Sequence, residues 1–168
     1  LDAAIGDGIA LFGRDGFAPG DVILTNHTGT CGQHLNNIVV YTPAFFEGRL
    51  IGFPATRAHW TDVGGRLAGG FLTDATTSFE EGIQLRSVKV YKQGKPDEEM
   101  LRVLRHNIRH PDASFGDLHA QIAACRMAER RLQELYARYS PAIVEDAIAT
   151  GWDQTERMVR AAIRTYPN

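Results

Sequence analysis

His59 and Asp62 stand three positions apart in the stretch Arg57-Ala58-His59-Trp60-Thr61-Asp62-Val63-Gly64-Gly65. On a helical turn or a tight loop, side chains at this spacing share one face and can converge on one point. A neutral imidazole beside a carboxylate suits a borderline or hard metal ion, or a general acid/base pair. The two glycines allow a sharp turn or a close backbone approach to a ligand. The same residues also make an ordinary capped turn, with His59 bonded to Asp62 and Trp60 filling a core gap, and two ligands do not complete a metal site.

A third group is available in His34. A set of His34, His59 and Asp62 has suitable ligand types and leaves positions open for water or substrate, as catalytic metal sites do. Spacing does not place His34 beside His59, but the hairpin expected over residues 38–57 would bring its own two ends together, which is the geometric support for such a set. Cys31, beside Gly32 and close to His34, offers a nucleophile and base, although cysteine more often serves as a small core residue. Gly64-Gly65 and Gly69-Gly70 could cradle an anion or simply form a loop. The chain has no Gly-x-Ser-x-Gly, no P-loop and no dinucleotide fingerprint. Of the other histidines, His27 falls in the same polar loop as His34, while His106, His110 and His119 fall on helices or their ends.

The elements that would carry these groups follow from periodicity and turn chemistry. Leu1, Ile5 and Ile9 predict an amphipathic helix over residues 1–13. Pro19-Gly20 makes a turn before a buried strand, Val22 to Thr25. The Asn26 to Asn37 loop is polar and long for a connection, a common sign of function. Ile38 to Thr42 reads as a strand, Glu47-Gly48 as a hairpin tip, and Arg49 to Thr56 as a return strand marked as broken or an edge by Pro54. Ser78 with Glu81 fits a capping box, and Ile83 to Tyr91 alternates as a strand. Asp97 N-caps a helix to about Asn107. Further helices are predicted from Gly116 to Tyr139, from Ser140 with Pro141 at its first position, and, after an interruption at Gly151, from Trp152 to Arg164. A β-rich segment (1–95) followed by a helical segment (96–168) predicts an α+β fold, as a single domain or part of a larger one.

Composition narrows the function classes. The chain of 168 residues has 43% apolar and 23% charged residues and a formal net charge of −2. No block of like charge points to nucleic acid or an anionic membrane, and no apolar run is long enough to span a bilayer. The cysteines Cys31 and Cys125 form no Cys-x-x-Cys pattern, so a reducing cytoplasm is expected. The chain begins at Leu1 inside an apolar-periodic segment and stops just after a helical pattern, as expected of a piece of a longer protein or of a processed subunit.

In Pro19-Gly20-Asp21-Val22, the Asn26 to Asn37 loop, Val40-Tyr41-Thr42-Pro43, the stretch from Arg57 to Gly65, Glu81-Gly82, Val88-Lys89-Val90-Tyr91, and Gly116-Asp117-Leu118 with Ala120-Gln121-Ile122, the chain resembles the hydantoinase B/oxoprolinase family. These are the B-type components of ATP-dependent hydantoinases, 5-oxoprolinases, and acetone and acetophenone carboxylases. The resemblance implies that an A-type partner binds ATP and activates a carbonyl or lactam. The B-type component then hydrolyses a cyclic amide or carboxylates a ketone with the help of a divalent metal: zinc, manganese or iron. It implies that His59 and Asp62 are metal ligands and that His34 lies near the substrate as a catalytic group. The sequence departs from the family pattern at His27, Thr28, Asn37 and Gln84, the last standing where some members have a further histidine ligand. Another family ligand lies upstream of Leu1. The resemblance thus implies a partial site, completed by the rest of the B-type subunit or by another chain. A non-catalytic assembly role in such a complex is the alternative.

Overall fold

The computed structural model describes residues 1–32, 34–69 and 72–166, so Gly70 of the second predicted glycine pair lies outside the described residues. The chain divides into two compact units, Leu1–Arg130 and Arg131–Asn168.

The first unit is built on an antiparallel sheet of five strands: β1 (Val22–Thr25), β2 (Asn37–Tyr41), β5 (Ala55–His59), β6 (Val88–Lys92) and β7 (Lys95–Pro96). Their spatial order is β5-β2-β1-β6-β7. A separate two-stranded ribbon, β3 (Ala44–Phe46) with β4 (Arg49–Gly52), forms the hairpin. Its tip turns through Glu47 and Gly48 at φ values of 49° and 77°, the left-handed pair that matches strand twist. The predicted return strand is broken at Phe53 and Pro54, as the proline requires, and its second half, β5, joins the main sheet.

Every residue of β1 and β2 is buried because the sheet is covered on both faces. Alternation sorts the side chains between two cores. Val22, Leu24, Ile38 and Val40 pack with Trp60, Val63 and Leu104, Leu118, Ile122 and Cys125 from α3 (Glu98–Asn107) and α4 (Pro111–Tyr139). Ile23, Val39 and Tyr41 face the other way, against Ala4, Ile5 and Ile9 of α1 (Asp2–Phe12) and Phe17. Helix α1 reaches the sheet through Gly8, where any Cβ would collide with the Tyr41 hydroxyl.

That hydroxyl is buried and sits 3.4 Å from Ser87 Oγ, and burial pushes its pKa up to about 12. Between the ordinary tyrosine value of 10 and 12, the unfolded chain is ionised while the folded chain is not. Stability therefore falls as pH rises through this window, by about 2–3 kcal/mol in all. Tyr41→Phe is expected to flatten this limb in urea melts between pH 9 and 12, and an unchanged alkaline slope would refute the assignment.

Three local readings shift. The capping box is Thr77 with Glu80, on a 3₁₀ turn over Ser78–Glu80, one residue earlier than Ser78 with Glu81. The predicted strand from Ile83 to Tyr91 begins only at Val88, because the Ile83 carbonyl and the Leu85 amide and carbonyl go to Asn26 and Thr25, and the Ile83 amide goes to Val63, rather than to a continuous ladder. The long polar loop contains a short helix, α2 (Thr28–Cys31). Helix α3 starts as predicted, with Asp97 Oδ1 accepting from the Met100 amide at 3.0 Å.

The second unit consists of the end of α4 and α5 (Pro141–Ile163), a single helix that runs through Gly151. One interior glycine costs a helix only about 1 kcal/mol, too little to split it. Ser140 takes a φ of 70° and its side chain makes no capping bond. No residue of α5 is buried. Leu132, Leu135, Tyr139, Ile143, Val144, Ala147 and Ile148 line an apolar groove of about 560 Å³. Among the described residues no helix is long and apolar enough to cross a membrane.

Candidate functional site

One end of the five-stranded sheet gathers the groups with chemistry. Antiparallel pairing places the C-terminal ends of β1 and β5 beside the N-terminal ends of β2 and β6, with Asn37 opposite His59 and Leu24 opposite Val88. His59 is therefore fixed by strand register at the sheet end. The loop that precedes β2 carries His34 to the same place, and the two imidazole centroids lie 4.7 Å apart at 57°. The ends of the hairpin do meet as the sequence suggests.

Burial, together with neighbouring His59, holds the His34 pKa below the ordinary histidine value, with Glu81 pulling it back up. His34 is thus a neutral imidazole at pH 7, able to accept a proton or donate a lone pair to a metal. Glu81 is the acidic group that acts on His34; its spacing from Ser78 suggested only a capping box, and its other signal was the Glu81-Gly82 match. Its segment is held by a bridge between Gly64 and Gly82, and both Gly65 and Gly82 approach backbone so closely that a Cβ would collide.

Asp62 has a different environment. Its side chain is 1% exposed, and its Oδ1 accepts from Arg109 Nη1 at 2.7 Å and from the Gly64 amide at 3.2 Å. Its Oδ2 accepts from the Arg109 amide, and Arg109 Nη2 donates to the Gly65 carbonyl. Ser114 Oγ reaches the Asp62 carbonyl at 3.4 Å. The carboxylate thus ties the glycine loop to the corner between α3 and α4. Among the described residues no three His, Cys, Asp or Glu side chains converge as a metal-ligand set, so His34, His59 and Asp62 are not assembled into one. The i, i+3 spacing does not act here as on a helix, because His59 ends a strand and the chain bends at Thr61.

The remaining candidates separate similarly. Cys31 is buried in the α1-side core with its Sγ 3.8 Å from the Thr25 carbonyl, the place of a small core residue. Cys125 is also a free buried thiol, its pKa raised by burial. Gln84 Nε2 donates to Thr28 Oγ1 at 3.1 Å, which ties two departures from the family pattern together. Beside them Arg86 grips both oxygens of Asp7, and this hydrogen bonding holds the Asp7 carboxyl below the usual range.

The imidazole pair, presented by a loop and a strand terminus at one end of the sheet, is carried on an α+β frame. The family model for Hydantoinase B/oxoprolinase matches residues 1–168, and the chain belongs to this family. It is 35% identical over 160 residues to the caprolactamase subunit beta of Pseudomonas jessenii, covering 95% of this chain and 28% of that subunit. It is 34% identical over 125 residues to the 5-oxoprolinase of Dictyostelium discoideum, covering 74% of this chain and 10% of that protein. The crystal structure of the ATP-dependent caprolactamase from Pseudomonas jessenii superposes with a TM-score of 0.90 at 34% identity, over 98% of this chain and 28% of that one. The chain therefore spans less than a third of the length of these relatives.

Proposed function

We propose that this chain is part of a cytoplasmic B-type component that hydrolyses a cyclic amide (a hydantoin, oxoproline or another lactam) after ATP-dependent activation on an A-type partner subunit. The observation that carries the reading is the His34–His59 pair, 4.7 Å apart at the sheet end, in a chain of this family. Relatives named for caprolactam and oxoproline favour hydrolysis over carboxylation.

In this reading His34, neutral at pH 7, takes a proton from the attacking water and later returns it to the leaving ring nitrogen. His59 orients it, and the half-buried setting of His34 limits competing solvent. The family also implies a divalent metal, which when bound would polarise the reacting oxygen or lower the pKa of a water. His59 fits that role as a donor, while His34 keeps its lone pair for the proton. Asp62 fits only by exchanging Arg109 for the ion, since both of its oxygens are already engaged. The remaining ligands would come from the rest of the B-type subunit.

The test is reconstitution with an A-type subunit and ATP, following ring-opened product from caprolactam, 5-oxoproline and hydantoin. ATP-dependent opening of at least one ring is expected. A complex that assembles and opens none, with zinc, manganese or iron supplied, would overturn the reading.

A further inference from the structure

We infer that Asn26 and Asn36 are positioning residues for the imidazole pair: two buried side-chain amides that hold the loop carrying His34 against the segments carrying His59 and Glu81. The inference rests on the functional reading above and adds to it the residues that set the site's geometry.

Asn26 follows β1 and is fully buried. Its Nδ2 donates to the Leu35 carbonyl at 2.8 Å and to the Ile83 carbonyl at 2.9 Å, while its Oδ1 accepts from the Leu85 amide at 2.7 Å. Both amide protons are thus used, on two segments that no ladder joins. Leu35 is the neighbour of His34, and Ile83 follows Glu81 by two positions. Asn36, 1% exposed, donates from Nδ2 to the Trp60 carbonyl at 2.6 Å, and its own carbonyl accepts from the Trp60 amide at 2.9 Å. Trp60 is the neighbour of His59. Strand pairing stops at Asn37 and Val88, and beyond it these amides add to isolated backbone bonds, from the Asn26 amide to the Leu85 carbonyl at 3.0 Å and from the Ile83 amide to the Val63 carbonyl at 2.8 Å. Buried amides of this kind are costly unless satisfied, which makes the arrangement specific to one loop geometry. Asn36 Oδ1 is itself buried with no hydrogen-bond partner among the described residues.

The test uses the full chain and three variants. In Asn26→Asp the acceptor to Leu85 remains and both donors are lost. In Asn36→Asp the donor to Trp60 is lost. Thr42→Val is the control, because Thr42 is equally buried and its Oγ1 has no partner to lose. Proton NMR of the wild type and Thr42→Val is expected to show nuclear Overhauser contacts between the His34 and His59 ring protons. In either Asp variant these contacts should weaken at least about twofold while the amide pattern of β1, β2 and β5 persists. In the reconstituted complex kcat should fall about 10–100-fold with KM within about twofold, the size expected for groups that orient others. Should both variants unfold, the wild type decides: the Asn26 side-chain amide protons should exchange far more slowly than those of an exposed asparagine, and equal exchange overturns the inference. Ring contacts unchanged in folded Asp variants also overturn it. A wild-type complex that opens no cyclic amide refutes the functional reading, while the ring contacts still decide the positioning.

Discussion

His59→Ala is expected to lower ATP-dependent ring opening by the reconstituted complex by roughly 10–100-fold, the range for losing a group that orients another or helps to hold a metal. The substitution is sterically mild. His59 is exposed, and its backbone, not its side chain, pairs with Asn37, so the sheet survives. The effect should therefore appear in kcat with little change in melting temperature. Metal content measured in the same preparations separates the roles of His59 and Asp62. His59→Ala is expected to lose bound metal. Asp62→Asn is expected to lose stability first, because it removes the charge that meets the Arg109 guanidinium at 2.7 Å. Breaking a largely buried pair from one side commonly costs about 3 kcal/mol, and here somewhat less since Arg109 is 44% exposed. If the Asp62 variant instead keeps its stability and loses its metal, Asp62 is a ligand and the Arg109 pair opens to release it. Full activity in His59→Ala would leave an assembly role as the better account of the chain.

Trp60→Ala should have the largest effect on stability, about 3–5 kcal/mol. Trp60 is fully buried in the core between the sheet and helices α3 and α4. Its indole Nε1 donates to Gln121 Oε1 at 3.0 Å, and Gln121 Nε2 donates in turn to the Ile38 carbonyl at 3.1 Å. Truncation removes a large apolar surface and also strands the glutamine acceptor. Against a typical total of about 5–15 kcal/mol, such a loss removes a large share of the stability. Trp60→Phe keeps most of the volume and strands the same acceptor, so it should cost about 1–3 kcal/mol. Urea melts followed by circular dichroism measure both. A cost below about 1 kcal/mol for Trp60→Ala would mean that the core does not depend on it.

Much of the fold was legible locally. β1 and β2 are dense β-branched runs, the Pro54 break follows from a missing donor, and the Asp97 cap follows from a carboxylate beside free helix amides. The missed start of β6 has a tertiary cause: alternation at residues 83–91 suggests a ladder, but Asn26, far earlier in the chain, takes the backbone groups of Ile83 and Leu85. The split predicted at Gly151 gave a small local penalty too much weight.

At the site, the sequence by itself determined the family and the α+β order of elements, and a hairpin between two strands must bring its own ends together; that His34 meets His59 there came from the structure. Only the tertiary structure decided what each group faces. Asp62 is turned to Arg109, Glu81 enters the electrostatic surroundings of His34, and Asn26 and Asn36 hold the loop. Spacing along a chain reports neighbours on one element. Charges and hydrogen bonds act through space between elements, and the partner a side chain meets there is set by packing.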